Sequence, residues 1–162
     1  MFDGTNQRIE LDITIINFNS KQKLKGSLYK INNSAFIFDN NDSRIIIEDS
    51  FVTTVNKVSK QVIKDKTHID EISIFSLISG RFKNFNISIE NLKSDEVNLI
   101  FKHNSKDITG IFFFKNSLNF PDSIIINSGN TNKIVLDILN VNKIKKIPHL
   151  EFKNYEFINL YE

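Results

Sequence analysis

Apolar and polar residues alternate along most of this chain, and a period of two is typical of β-strands. Residues 8–17 show it most clearly: isoleucine or leucine occupies every second position, with polar residues between them. The apolar members are Ile9, Leu11, Ile13 and Ile15. Because successive strand side chains point to opposite faces, this segment predicts a strand with one buried and one solvated face.

Similar patterns predict strands over most of the remaining chain. They lie near residues 24–31, 35–39, 44–48, 51–56, 59–63, 85–90, 97–103, 108–115, 123–128, 133–140 and 151–158. Polar turns at 19–22 and 32–34 separate the first of them, and Gly129-Asn130 predicts a hairpin turn between two later ones. One mainly β domain spanning residues 1–162 is therefore expected.

The period changes between residues 67 and 80. Ile69, Ile72, Ile74 or Phe75, and Ile78 are spaced by three or four residues, with acidic residues early and a glycine at the end. This spacing predicts a short helix. A helix this short is marginal by itself, so its apolar face is expected to pack on the sheet.

Three strands are apolar at consecutive positions, namely 45–47, 111–114 and 124–126. Such runs indicate that both sheet faces are covered, or that one face is an exposed apolar surface. A hollow, a partner surface and plain core packing all fit this pattern. In the predicted strand 35–39, Phe36 and Phe38 stand two residues apart, so both rings project to the same side.

The composition is that of an ordinary globular protein. The chain has 162 residues, 40% hydrophobic and 25% charged, with a net charge of +2 and no cysteine. The lack of cysteine excludes disulfides and thiolate sites. Met1 leads almost directly into strand pattern, so a periplasmic protein would have had its signal peptide removed from this chain.

Catalytic, metal and cofactor motifs are missing from the sequence, so no enzyme, metal site or cofactor is expected. His68, His103 and His149 lie far apart, and the carboxylates fall at predicted turns or at the helix start. The basic stretches at 21–25 and 143–146 fit solvated sheet edges, or contact with anionic headgroups or an acidic partner. Nucleic acid is not an expected partner, because the net charge is low and no aromatic recognition motif is present.

A series of short motifs follows the first strand. Gly26-Ser27-Leu28-Tyr29 is a Gly-x-Leu-aromatic strand, and Phe36-x-Phe38 is a paired-aromatic strand; a hairpin at 47–50, the element 60–62 and the apolar segment 72–78 follow. In order and spacing they resemble the LolA/LolB family of periplasmic lipoprotein carriers and receptors. The chain departs from that family in having no helix before Arg8, Asn32-Asn33 in place of an Arg-Pro pair, and no tryptophan.

The resemblance implies a fold: a strongly curved antiparallel sheet, an unclosed half-barrel, with a short helical lid over an apolar cavity. It also implies candidate residues for an acyl-chain cavity, which are Leu28, Phe36, Phe38, Ile74, Phe75, Ile78, Phe112 and Phe114.

The function implied by the resemblance is that of a periplasmic carrier, closest to LolA, which ferries lipoprotein acyl chains from the inner to the outer membrane. Its expected partners are acylated lipoproteins, an inner-membrane ABC-type lipoprotein exporter, and an outer-membrane acceptor or the outer membrane itself. Two alternatives are a LolB-like outer-membrane lipoprotein receptor and a non-enzymatic envelope module for protein interaction or sensing.

Overall fold

The computed structural model describes residues 7–32, 35–48, 50–66, 77, 82, 84–92, 95–115 and 119–161. Within these residues the chain forms one sheet of twelve strands. In chain order they are β1 (Gln7–Asn17), β2 (Ser20–Lys30), β3 (Ala35–Asp39), β4 (Ser43–Glu48), β5 (Phe51–Asn56), β6 (Gln61–Lys66), β7 (Phe85–Leu92), β8 (Glu96–His103), β9 (Ile108–Lys115), β10 (Ser123–Ser128), β11 (Asn132–Lys143) and β12 (Glu156–Asn159).

The strand order across the sheet is β12-β6-β5-β4-β3-β2-β1-β11-β10-β9-β8-β7. The mainly β, single-sheet prediction is confirmed. β12 departs from the antiparallel prediction, because it pairs in parallel with β6, from Glu156 opposite Gln61 to Asn159 opposite Lys64. Parallel neighbours need a long connection, and β12 reaches β6 from far along the chain. In the described part of the chain, no helix has the length and apolar character needed to cross a membrane.

By its contacts the chain divides into two compact units. Unit 1 comprises Met1–Asp3, Leu11–Lys25 and Ser76–Leu139; unit 2 comprises Gly4–Glu10, Gly26–Phe75 and Asn140–Glu162. Three of the boundaries between the units fall within β1, β2 and β11. The expectation of one domain over 1–162 stays a prediction.

Unit 1 contains the hairpin series β7 to β11. Residues in direct register bury one face: Leu99 pairs with Phe112, Phe112 with Ile124, and Ile124 with Leu136. Phe112, Ile124 and Leu136 are at most 1% exposed. On the other face, Ile100, Ile111, Ile125 and Val135 form a half-buried row across four strands. Because the side chains alternate, the fully buried residues of the apolar runs in β9 and β10 lie on one face, and the half-buried residues lie on the other.

Unit 2 contains the meander from β3 to β6 with β12 added at its edge. In β3, Ala35, Phe36, Ile37 and Phe38 are all buried, so both faces of this strand are covered. This outcome is one of the two that consecutive apolar residues predict. The adjacent β4 is half-buried over Ile45, Ile46 and Ile47.

Two of the tight turns that reverse the chain contain residues with positive φ. The β1–β2 hairpin turns at Phe18 and Asn19, so the turn predicted at 19–22 ends earlier than expected and β2 already begins at Ser20. Phe18 has a positive φ of 44° and a ring that is 79% exposed. The predicted turn at Gly129 is confirmed, with φ of 60°, a conformation that glycine adopts without strain.

The predicted helical lid over residues 72–78 lies outside the described residues except for Leu77. Leu77 is fully buried. The lid therefore stays a prediction, and so does the assignment of Ile74, Phe75 and Ile78 to it.

Candidate functional site

The first candidate surface is the face of unit 2 that carries Phe36 and Phe38. Leu28 of β2 lies opposite Phe38, which in turn lies opposite Ile45 of β4. Phe36 lies opposite Ile47. These pairings confirm that the two rings share one side of the sheet with Leu28.

The rings of this face are closely packed. Leu28, Phe36 and Phe38 are between 0% and 4% exposed. The ring of Phe38 covers Gly26, where an added Cβ would lie 2.6 Å from the ring Cζ. Gly26, the first residue of the Gly-x-Leu-aromatic motif, is therefore required by the approach of an aromatic ring.

A buried lysine belongs to the same face. Lys30 lies directly opposite Phe36 and is 4% exposed. Burying a cation among apolar side chains costs free energy unless polar groups form hydrogen bonds or ion pairs with it, so lysine is rare at such positions. Lys30 is engaged by another group of the folded chain, so its burial belongs to the internal structure of this face.

The second candidate surface is the buried face of unit 1. Its centre is Phe112, whose ring centroid lies 4.8 Å from Phe101, 5.5 Å from Phe82 and 6.5 Å from Phe114. Phe85 extends the cluster, with its ring edge-on to Phe101 at 5.6 Å. Tilted and edge-on rings at these distances stabilise aromatic clusters beyond the effect of burial. Phe112 and Phe114 are 1% and 2% exposed.

The predicted site residues thus fall into three groups. Leu28, Phe36 and Phe38 share one face of unit 2, and Phe112 and Phe114 share one face of unit 1. Ile74, Phe75 and Ile78 lie outside the described residues. Each described candidate is buried, as either a core residue or the wall of a closed apolar hollow would be.

In the described part of unit 2, one carboxylate has two cationic partners. Asp39 accepts hydrogen bonds from Arg44 Nη2 at 2.6 Å and Lys57 Nζ at 2.6 Å. Arg44 Nη1 also donates to the carbonyl oxygen of Pro148 at 2.9 Å, and Lys57 donates to that of Asn40. The cluster ties residues near Pro148 to β4.

These contacts set the pKa of Asp39. Partial burial by itself raises the pKa of this carboxyl, but the hydrogen bonds and charges of Arg44 and Lys57 outweigh it and hold the pKa below its ordinary value. Asp39 is therefore ionised at neutral pH. Its lone pairs are engaged by Arg44 and Lys57, so its role is structural.

The described histidines do not form a reactive group. Nδ1 of the buried His103 accepts hydrogen bonds from the backbone amides of Ser105, at 3.1 Å, and Lys106, at 3.0 Å. Through these two hydrogen bonds the ring stabilises the turn after β8. Among the described residues, no three histidine, aspartate or glutamate side chains come together as a metal site would require.

Two small surface hollows are lined by described residues of unit 1. The larger, of about 250 Å³, is lined by Glu96, Asn98, Phe113, Phe114 and Lys115. The other, of about 160 Å³, is lined by Asp12, Ile13, Thr14, Lys23, Leu24, Lys25 and Asp137. Both are smaller than the usual 300–1,000 Å³ of ligand pockets and mix charged with apolar linings. Neither has the lining expected for acyl chains.

Sequence analysis did not identify Lys30, Arg44 or the Asp39 cluster. A signal was present for Lys30, because it continues the alternation that places Leu28 on an apolar face. Arg44 carried no comparable signal, since a charge at the start of a strand is usually solvated. In the fold it donates a hydrogen bond to the carbonyl of Pro148, which is far away in the sequence.

Comparison with solved structures gives the fold relationship. No protein-family model matches the sequence, and neither does any curated protein. A LolA superfamily protein from Nitrosomonas europaea matches with a TM-score of 0.56 and 12% identity, over 91% of this chain and 89% of that chain. An uncharacterized conserved protein from Thermus thermophilus matches with a TM-score of 0.56 and 8% identity, over 96% and 90%.

The fold of this chain is similar to that of a LolA superfamily protein. The match extends over nearly the full length of both chains, so it includes both units. The resemblance predicted from the sequence motifs is confirmed at the level of the fold.

Proposed function

We propose that this protein is a periplasmic, non-enzymatic carrier that binds the acyl chains of lipoproteins and ferries them from the inner to the outer membrane. The observation that carries the proposal is the likeness to a LolA superfamily protein over about nine-tenths of both chains. The sequence motifs support the same function independently. By resemblance, the carrier takes cargo from an ABC-type exporter in the inner membrane and delivers it to an outer-membrane acceptor or to that membrane.

The physical requirement for such a carrier is an apolar surface that substitutes for lipid. Each buried CH₂ stabilises by about 0.8 kcal/mol, so acyl chains leave a membrane readily only if a protein shields them. Leu28, Phe36 and Phe38 supply an apolar face of this kind in unit 2. In the proposed mechanism, the acyl chains lie against this face and displace the segment 72–78.

The direct test is native mass spectrometry of the protein purified from cells that contain lipoproteins. Co-purified acyl lipid or lipopeptide is the expected result. A stable protein complex with no lipid would instead favour the interaction or sensing module. A membrane-anchored precursor with a lipidated N-terminal cysteine would favour the LolB-like receptor.

A binding assay with pyrene-labelled palmitate tests the apolar face of unit 2. Ile47→Glu places a carboxylate opposite Phe36 at a half-buried position, which the fold tolerates better than a charge at Phe36 itself. We expect at least a tenfold loss of probe affinity, because a charge would lie against the acyl chain. Val58→Glu is the matched control, since Val58 is 76% exposed. Equal probe affinity in the two variants would contradict the assignment of this face.

A further inference from the structure

An aromatic turn at the edge of unit 2 is exposed. We define it as residues 152–157. The amide of Tyr155 donates to the carbonyl of Phe152 at 3.3 Å, and Asn154 has φ of 61°. The ring of Phe152 lies 5.8 Å from that of Tyr155 and 6.4 Å from that of Phe157. Phe157 is 66% exposed and Phe152 is 36% exposed, so both rings contact water.

A basic segment precedes this turn. We define it as residues 143–149. Val141, Ile144 and Ile147 are half-buried at a spacing of three residues, and the lysines between them are exposed. The hydrogen bond from Arg44 to the carbonyl of Pro148 fixes the segment on β4. The exposed lysines are Lys143, Lys145 and Lys146.

These lysines and Lys153, at the tip of the aromatic turn, are available for an external partner. Residues 143–161 contain four lysines and two glutamates. Within the described part of the chain, none of the four lysines forms an ion pair. Glu156 is engaged with Gln61 at 3.0 Å, and Glu151 is exposed.

A fifth cation lies on the same face as Phe157. The register pairs Phe157 with Val62 and Asn159 with Lys64, so Phe157 and Lys64 share one side of the sheet. The Nζ atom of Lys64 lies 4.5 Å from the ring centroid of Phe51 and 5.8 Å from that of Tyr161. These rings hold the ammonium group at the edge where Phe157 is exposed.

We propose that the aromatic turn and the basic segment form a docking surface for anionic lipid bilayers. Exposed aromatic rings enter the interface between headgroups and acyl chains, and neighbouring lysines attract anionic headgroups. Docking requires no acyl chain bound to the protein. The inference therefore stands whether or not the proposed carrier function is correct.

Charge and local geometry favour a bilayer over other occupants. A second copy of this surface would bring like charges together, which opposes self-association. The rings project from a turn, where Lys153 and Asn154 are exposed, and so present convex aromatic groups to a partner. A bilayer accepts such groups without a complementary pocket, and an acidic protein would need one to cover Phe157.

Sedimentation with lipid vesicles tests the proposal. The vesicles contain phosphatidylcholine with about 30% phosphatidylglycerol, a content chosen to give a negative surface potential. The wild-type protein is expected to bind these vesicles and to bind pure phosphatidylcholine vesicles at least tenfold more weakly. Raising the salt concentration is expected to weaken binding to the anionic vesicles, because salt screens the lysines.

Matched variants assign the binding to this surface. Lys145→Gln with Lys146→Gln removes two exposed cations, and Phe157→Ser removes the exposed ring; each change is expected to lower the partition coefficient at least tenfold. The controls are Lys21→Gln with Lys23→Gln in the other basic stretch, and Phe18→Ser at another exposed ring. Thermal unfolding of every variant checks that the fold is retained.

Several outcomes would overturn the proposal. They are no binding to anionic vesicles, equal binding to both vesicle types, or the same loss in test and control variants. Binding of a polyglutamate peptide by the wild-type protein, without vesicle binding, would also overturn it and assign the surface to an acidic protein. Loss of palmitate binding with retained vesicle docking would contradict the carrier function alone.

Discussion

Gly110 of β9 lies directly opposite Phe101 of β8, and the phenylalanine ring covers the position where a side chain would otherwise stand. A Cβ added at Gly110 would lie 2.7 Å from Cε1 of Phe101 and still closer to the carbonyl oxygen of Ile125. The ring can shift only by disturbing Phe85 and Phe112, with which it packs. The absence of a side chain at Gly110 therefore permits the aromatic cluster of unit 1.

Gly110→Ala is expected to destabilise the protein by roughly 2–3 kcal/mol, because overpacking forces both a ring and a backbone group to move. Urea unfolding measures the loss. Gly129→Ala is the control: its added Cβ meets no atom closer than 4.0 Å, and its cost comes from a φ of 60°, about 1 kcal/mol. A larger loss at Gly129 than at Gly110 would contradict the packing argument.

Phe112 and Phe113 are adjacent in β9, and their rings lie on opposite faces of the sheet in unit 1. Phe112→Ala removes a ring that is 1% exposed and contacts Phe101, Phe82 and Phe114, and its expected cost is about 3–5 kcal/mol. Phe113→Ala acts on the half-buried face and is expected to cost less than half as much. Equal losses in denaturant unfolding would mean that the alternation does not determine stability.

Removing the central carboxylate of unit 2 leaves two cations without their partner. Asp39→Asn is expected to lower the free energy of unfolding by roughly 2–4 kcal/mol, since the Arg44 side chain is only 6% exposed. Lys57→Met is expected to cost less, because Arg44 still pairs with Asp39 and the Lys57 side chain is 22% exposed. The reverse order of the two losses would show that Arg44 is satisfied mainly by Pro148.

The same carboxylate makes stability depend on pH. Because the pKa of Asp39 is lower in the folded chain than in the unfolded chain, folding favours the ionised form. The stabilisation is present above the unfolded value, about 4, and is lost as the pH falls through the lower folded value. Urea unfolding near pH 7 and near pH 3 should thus show a smaller difference for Asp39→Asn than for the wild type. An unchanged difference would mean that other carboxylates account for acid destabilisation.

Local alternation predicts much of this fold. The limits of β3, β5, β9 and β10 agree with the sequence pattern, because each is an alternating or apolar run between polar turns. The predicted strand at 59–63 begins and ends later in the structure, as β6 (Gln61–Lys66). Lys60 there has a positive φ of 55° and belongs to the turn.

The features that sequence analysis missed depend on residues far apart in the chain. The parallel pairing of β12 and the burial of Arg44 beneath the carbonyl of Pro148 both join distant segments. No local pattern indicates which edge a short strand joins. For the candidate site, alternation predicted that Leu28, Phe36 and Phe38 share a face, and it gave no means of deciding whether that face opens to a ligand.

The pairing of β12 with β6 has a consequence for synthesis on the ribosome. Glu156 bonds to Gln61 across 95 residues of sequence, so the outer edge of β6 stays uncovered for roughly 5–20 s of translation at 5–20 residues per second. The unpaired backbone groups of an uncovered strand edge can form hydrogen bonds with other nascent chains. Lys60, Lys64 and Lys66 occupy that edge or flank it, and lysines on an exposed edge oppose such pairing by mutual repulsion. The lysines of β6 are thus placed to protect the nascent chain from aggregation until its last strand arrives.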